Sequence, residues 1–289
     1  MKYCCLPLLQ GQAIVLQGNY PDTAADPAIL ADLMCVSLRA EAPTVPAVVV
    51  WEDADRTPTH NAVFVYQSKT VHITYQAESQ SFHFYMQDMA RLQKTEYAIL
   101  LWQLSVICAG TGMILRGSPV QMIHCSMLEK KDQALLLLGE SGIGKSTSAK
   151  RWAAAGGTAT ADDAVLLEYA ADGGILVHRL PTWSACRLRL DGRSYPFSPP
   201  LKLKNVLAVS RGEDREYIRA ITKAEFYAQL YRCGFYHYLP IAGKLPPEEQ
   251  KMLAAKIKDF TDILTNRHKP QALFAHLEGS IAETLGDLL

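Results

Sequence analysis

No two cysteines of this 289-residue chain stand at CxxC spacing, and the seven present are odd in number: Cys4, Cys5, Cys35, Cys108, Cys125, Cys186 and Cys233. A disulfide framework or a structural zinc site is therefore not expected, and reduced thiols in a cytoplasmic protein are the simpler reading. Metal-ligand spacing is missing among the histidines too: His60, His72 and His83 share a region but no ligand pattern. Neither sign of charge is in excess, with 29 Lys+Arg against 29 Asp+Glu. No global basic field then argues for a nucleic-acid partner, although a local patch is not excluded. A long unbroken apolar run is lacking as well. The most apolar window, about Ile99 to Ile114, is interrupted by Gln103, Ser105, Gly110 and Thr111. That suits a buried helix better than a membrane span. The start, Met1-Lys2-Tyr3-Cys4-Cys5, has no long apolar core of the signal-peptide kind. Internal repeats and low-complexity tracts are absent. What remains, 49% hydrophobic and 20% charged, is the profile of a globular protein with room for one large domain or two ordinary ones.

Against these absences one stretch stands out, Leu135 to Val165. It opens on four leucines, Leu135 to Leu138, which read as a buried strand. Gly139-Glu140-Ser141-Gly142-Ile143-Gly144-Lys145-Ser146 follows, the phosphate-loop pattern, with Thr147 next. A helix is expected from Lys145 to about Ala155. In such a loop the glycines let successive N–H groups point at one anion, and the helix adds the positive end of its dipole. Lysine reaches the β- and γ-phosphates, and the serine hydroxyl can ligate Mg²⁺. A plain glycine-rich turn would not explain a lysine and a hydroxyl placed together at the helix start.

The rest of the chain reads more coarsely. Residues 1–92 make a smaller mixed or β-rich N-terminal region, with strands about Gln12–Gln17, Val48–Trp51, Val63–Tyr66, Val71–Tyr75 and Phe82–Tyr85. Asp26–Leu38 is a candidate short helix. Residues 93–289 make the second domain. Thr95–Ala109 reads as a buried helix, broken at Gly110 and Gly112. Val120–Leu128 reads as one strand in a hairpin with Ala134–Leu138. Beyond the loop helix come a short strand at Thr158–Ala161, a hairpin of Val165–Tyr169 with Ile175–His178, and strands at Val206–Ser210 and Tyr217–Ile221. Helices are expected at Lys223–Cys233 and Pro246–Leu264, then a strand at Leu273–His276 and a short helix at Ser280–Leu288.

A phosphate loop says nucleotide, not reaction. Asp162 and Asp163 narrow the choice, because they follow Lys145 by 17 and 18 positions. One helix and one returning strand fill that interval, so loop and carboxylates can meet at one end of a sheet. A carboxylate near the γ-phosphate can accept the proton of an attacking hydroxyl. The plainer reading is a metal-holding acid with a solvated neighbour, as in a simple NTPase. His124, on the strand antiparallel to Leu135–Leu138, can be aimed at the same place to polarise a carboxylate or bind phosphate.

With these residues in view, the segment from about Met122 to Glu168 resembles HPr kinase/phosphorylase, whose core is similar to that of phosphoenolpyruvate carboxykinases. The matching residues are the loop Gly139 to Ser146, the triplet Ala161-Asp162-Asp163, and His124, which lies 15 positions before Gly139. The resemblance implies an α/β fold with a mixed sheet and a P-loop core. It also implies a kinase using ATP and Mg²⁺, and a possible homo-oligomer. By position, Asp162 would activate a serine hydroxyl, Asp163 and His124 would assist, Lys145 would bind phosphate, and Ser146 with Asp163 would hold Mg²⁺. The downstream glutamate-arginine-glycine signature of that family is not found, and Leu180-Pro181-Thr182-Trp183-Ser184 stands in its region. The N-terminal region is also unlike the HPr kinase regulatory domain. The chain is more similar to divergent relatives in peptide-modification cassettes, such as SynChlorMet cassette proteins and lasso-peptide serine kinases. The expected acceptor is then a serine on a peptide or small protein, with Arg187 and Arg189 as candidate contacts to substrate or γ-phosphate. A small-molecule kinase of the same fold, or a nucleotide-dependent peptide-binding scaffold without catalysis, remain the alternatives.

Overall fold

The structure is a computed structural model. It describes residues 2–9, 13–18, 28, 31–32, 36, 38–41, 43–44, 47–53, 62–66, 69–86, 96–180, 197 and 199–289. It is a mixed α/β protein with two mixed sheets. By its contacts the chain forms two units. One is Met1–Val120 with Cys186–Ser198 and Tyr238–Leu253. The other is Gln121–Ala185 with Pro199–His237 and Ala254–Leu289.

The first unit holds seven strands: β1 (Lys2–Pro7), β2 (Ala13–Gly18), β3 (Leu38–Arg39), β4 (Val49–Asp53), β5 (Ala62–Tyr66), β6 (Lys69–Gln76) and β7 (Ser81–Met86). They run in the order β3-β1-β2-β4-β7-β6-β5. The β2–β4 and β4–β7 pairs are parallel. Helix α1 (Glu96–Leu115) packs on β2, β4 and β7. It therefore belongs with this unit, and the division falls after Val120 rather than at residue 92. The break expected at Gly110 and Gly112 does not occur. Thr111 Oγ1 donates to the Ile107 carbonyl at 2.8 Å within an unbroken helix. Gly112 is a packing residue: a Cβ there would stand 2.3 Å from Val48 Cγ1. The turn comes later, at Gly117, whose φ of 81° is the left-handed geometry that ends helices. The candidate helix Asp26–Leu38 falls mostly outside the described residues.

In the second unit, β8 (Val120–Ile123), β9 (Cys125–Lys130), β10 (Gln133–Leu138), β11 (Thr158–Ala161), β12 (Val165–Tyr169), β13 (Ile175–Arg179) and β14 (Leu201–Arg211) form the path β11-β9-β10-β14-β13-β12-β8. Strands β15 (Tyr217–Ala220) and β16 (Gln271–Ala275) extend it beside β14. The single strand expected over Val120–Leu128 is split at His124. Its first half closes one end of the path, and its second half lies next to the other end. A sheet whose ends are joined by one residue must coil strongly, which fits the right-handed twist of strands.

The leucine run is explained by burial on both faces. Leu135 and Leu137 face a layer with Ala149, Trp152, Ile281 and Leu285. Leu136 and Leu138 face another with Phe226, Leu230, Phe260 and Leu264. Alternate side chains of a strand point to opposite faces, so a strand covered twice is apolar throughout. The covering helices are α2 (Lys145–Ala154), α3 (Lys223–Tyr236), α5 (Pro247–Arg267) and α6 (Ile281–Leu285), with a short α4 (Leu239–Ala242) between α3 and α5. Helix α3 starts at a capping box, in which Thr222 Oγ1 accepts from Glu225 N–H while the Glu225 carboxylate accepts from Thr222 N–H.

Strand direction places the site. β10 runs parallel to β14, and β14 runs parallel to β16. β11 is antiparallel to β9, which is antiparallel to β10, so β11 shares the direction of β10. The C-terminal ends of β10, β11, β14 and β16 therefore lie at one side of the sheet, where the first residue of β9, Cys125, pairs with Leu138.

Cys4, Cys5, Cys108, Cys125 and Cys233 carry free thiols. No helix among the described residues is long and apolar enough to cross a membrane.

Candidate functional site

Leaving β10 at Leu138, the chain turns through the glycine-rich loop into α2. Gly142 and Gly144 have φ of 79° and 117°, values that favour a residue without a Cβ. Gly144 is the N-cap and offers no side chain to the first-turn N–H groups, and no acid stands in that turn. Those donors face the loop, the arrangement that suits an anion. Ser141 and Thr147 are exposed, Ile143 and Ser146 half-buried, and Ile143 N–H donates to the Glu140 carbonyl at 3.3 Å. The Glu140 side chain points away to Arg232, an exposed pair at 2.8 Å.

Lys145 is buried, 5% exposed. Its Nζ donates to the Gly139 carbonyl at 2.9 Å, the Glu140 carbonyl at 3.0 Å and His124 Nε2 at 3.1 Å. An ammonium has three donors, and each meets one acceptor. His124 holds the Asp163 carbonyl through Nδ1 at 2.8 Å. A carbonyl can only accept, so Nδ1 carries the proton and Nε2 accepts from lysine. His124 is thus the neutral Nδ1–H tautomer. Burial first, then the Lys145 charge, lower its pKa, against the hydrogen bond to Asp163 and the Asp162 charge. The two ring nitrogens of His124 thus meet a backbone carbonyl, that of Asp163, and the loop lysine.

The same Asp163 carbonyl accepts a second hydrogen bond, from His237 Nε2 at 2.9 Å. Asp163 itself has φ of 76°, a left-handed backbone for a residue with a Cβ. Two buried imidazoles therefore fix the turn that carries the acidic pair. Asp162 Oδ1 accepts a short hydrogen bond from Ser126 Oγ, a fully buried hydroxyl on β9. His124 N–H donates to the Cys233 carbonyl at 2.9 Å, and Gln121 Nε2 donates to that of Gly234 at 2.9 Å. These donors satisfy carbonyls in the last turn of α3 and bind it to the His124 corner. Tyr236, 47% exposed, lies over the His124 ring with centroids 4.3 Å apart.

The structure thus brings together the loop, Lys145, His124 and the Asp162-Asp163 turn. Arg187, Arg189 and the Pro181 to Ser184 segment lie outside the described residues. Ser126, His237, Tyr236 and Arg211 were missed by sequence reasoning. A signal existed for Ser126, because it stands two positions beyond His124, the same-face spacing of a strand. Arg211 ends β14 and donates from Nη2 to the Gly142 carbonyl at 3.3 Å.

Among the described residues no three His, Cys, Asp or Glu side chains converge as a metal cage. A Mg²⁺ brought by a nucleotide needs only one or two protein oxygens, the rest coming from phosphate and water. The Ser146 hydroxyl and an aspartate of the 162–163 turn are oxygen donors of that kind, so the residue types suit a nucleotide-borne Mg²⁺.

None of the curated proteins compared matches the chain. Among solved structures it is similar to the Hpr(Ser) kinase/phosphatase from Coxiella burnetii, with 16% identity over 32% of this chain. The match spans 62% of that protein's chain, with a TM-score of 0.26, a value too low to establish a shared fold. The family model described as SynChlorMet cassette protein ScmC matches residues 89–234, half of the sequence. The chain therefore belongs to the SynChlorMet cassette protein ScmC family.

Proposed function

We propose that this chain is an ATP- and Mg²⁺-dependent kinase, with an HPr-kinase-like P-loop core, that phosphorylates a serine hydroxyl on a peptide or small protein. A precursor peptide of a biosynthetic cassette is the acceptor that suits the family. One observation carries the reading. Lys145 touches both the loop carbonyls and His124, while His124 holds the backbone of the Asp162-Asp163 turn. Anion cradle, cation and the backbone of the acidic turn are thereby tied into one hydrogen-bonded unit.

In this reading the loop N–H groups and the start of α2 bind the triphosphate, and Lys145 turns to the β- and γ-oxygens. Ser146 and Asp163 hold Mg²⁺, which offsets charge on the phosphates. Asp162 is steadied at Oδ1 by Ser126, and its carboxylate takes the proton of the acceptor hydroxyl. As the acceptor oxygen bonds to the γ-phosphorus, the bond to the β–γ bridging oxygen breaks and ADP leaves. His124 and His237 keep the acidic turn in register without carrying charge.

The test is mass spectrometry of cassette-encoded peptides incubated with ATP, Mg²⁺ and the protein. A phosphoserine is expected with the native chain and not with Asp162→Asn, which should still bind ATP. Undiminished transfer by Asp162→Asn would remove the assigned base. No transfer to any neighbouring peptide, with ATP bound, would favour a scaffold.

A further inference from the structure

Among the described residues of the second unit, two large hydrophobic side chains stand exposed, Tyr236 and Leu277. Tyr236 is the one set against the His124 cluster, and its ring is held on two sides. One face lies over the His124 ring, with centroids 4.3 Å and planes 30° apart. The neighbouring His237 ring meets it nearly at right angles, 5.4 Å away. The backbone beneath is fastened as well. His124 N–H donates to the Cys233 carbonyl and Gln121 Nε2 to that of Gly234, both at 2.9 Å, so the last turn of α3 is fixed before any partner arrives.

The rest of that helix stripe is already engaged. Arg232, one turn before Tyr236, donates from Nη1 to Glu140 of the loop and from Nη2 to Gln229 Oε1, each at 2.8 Å. What the stripe offers to a partner is therefore the open face of the Tyr236 ring. Covering His124 would need only an aliphatic side chain. A ring locked in place loses little further freedom when a ligand settles on it, which is why fixed tyrosines make efficient contact surfaces. Its place beside the acidic turn says which ligand. Only the His124 ring separates Tyr236 from the Asp163 carbonyl, to which Nδ1 donates at 2.8 Å. An extended peptide advances about 3.3 Å per residue. A serine whose hydroxyl reaches Asp162 thus carries a residue one or two positions away over the open face of Tyr236.

We propose that Tyr236 is a specificity-determining contact of the acceptor site, and that its open face receives an aromatic side chain one or two residues from the acceptor serine. The inference rests on the kinase reading and adds to it the chemistry of the acceptor. An aliphatic side chain on that face gains burial alone. A second ring lies offset or edge-on against the tyrosine and gains more, worth about two- to tenfold in affinity beyond the burial.

The test uses the full chain, Mg²⁺ and ATP labelled at the γ-phosphate. The acceptors are a library of capped nonapeptides with a central serine and one neighbour fixed at a time, from two residues before it to two after. The native chain should label peptides with Phe, Tyr or Trp at one of these positions about three- to tenfold more than those with Ala or Leu there. Tyr236→Phe should keep that selection. Tyr236→Leu, which still covers His124, should lose it through a higher KM for aromatic peptides, with the KM for ATP unchanged. A lower rate on every peptide alike, with the selection intact in Tyr236→Leu, would show that the ring only supports His124 and would overturn the proposal. Label entering the library without aromatic selection by the native chain would overturn it too, whether or not the variants fold, and leave the kinase reading intact. No label in any peptide would overturn the two together.

Discussion

Acidification should expose the cost of keeping His237 neutral. Burial, and then the nearby His124, push its imidazole down from 6.5 to about 4, against the hydrogen bond to the Asp163 carbonyl. In the unfolded chain the same group titrates near its ordinary value. Between those two values the unfolded state holds a proton that the folded state refuses. Stability therefore rises with pH across the interval, is fully present above about 6.5, and is lost as the pH falls through about 4. A gap of about 2.5 pK units at about 1.4 kcal/mol each corresponds to about 3 kcal/mol. At 4% exposure, solvent screening discounts little of it. By pH 5 the loss should reach about 2 kcal/mol. The comparison is with His237→Gln, which keeps an N–H donor for the carbonyl and does not titrate. His268 is also pushed down to about 4, but it is present in both proteins and cancels. Urea unfolding followed by circular dichroism at pH 7, 6 and 5 is the assay. The native chain should lose stability more steeply than the variant, by about 2 kcal/mol over that range. Parallel pH curves for the two proteins would refute the linkage.

Two further outcomes test the packing. Gly112→Ala should lower the melting temperature by the equivalent of about 1–3 kcal/mol, although alanine ordinarily gains about 1 kcal/mol over glycine in a helix, because the new Cβ meets Val48 Cγ1. Adding Val48→Ala should recover part of the loss, and a melting temperature that rises in the single variant would contradict the close approach. Arg151→Met should cost about 3 kcal/mol in urea unfolding, because it strips a charged partner at 2.6 Å from Glu216, whose side chain is 1% exposed. Pairing it with Glu216→Met should restore most of that stability, and an additive double variant would show that the pair is not coupled.

Much of the second unit was legible because its signals are local. The Leu135 to Leu138 run, the loop and Thr158–Ala161 lie where the pattern put them, since a strand buried twice and a glycine turn leave marks in a few residues. The first half of β14 was not legible. Lys202 and Lys204 alternate with Leu201 and Leu203, but the expected strand began only at Val206, where the apolar run is continuous. The split at His124 was hidden because the residues on both sides are apolar, and only the coiling of the whole sheet separates β8 from β9. Gly110 and Gly112 misled for the opposite reason: glycine breaks a helix by propensity, but contact with Val48 overrode it. In the site, His124 and the acids could be read as a group from their spacing. His237 could not, because it meets Asp163 across 74 positions of sequence and no periodicity links them.

The lysine of the loop is already fully engaged, with two carbonyls and one imidazole nitrogen around it. An anion arriving there does not add a bond to a waiting cation; it takes one over. If the contact surrendered is the one to His124, that ring loses its donor and, with it, one of the two influences that keep its proton affinity low. Entry of a phosphate and uptake of a proton would then be linked events, and the affinity of the loop for its ligand would carry a dependence on pH that no residue touching the phosphate possesses by itself.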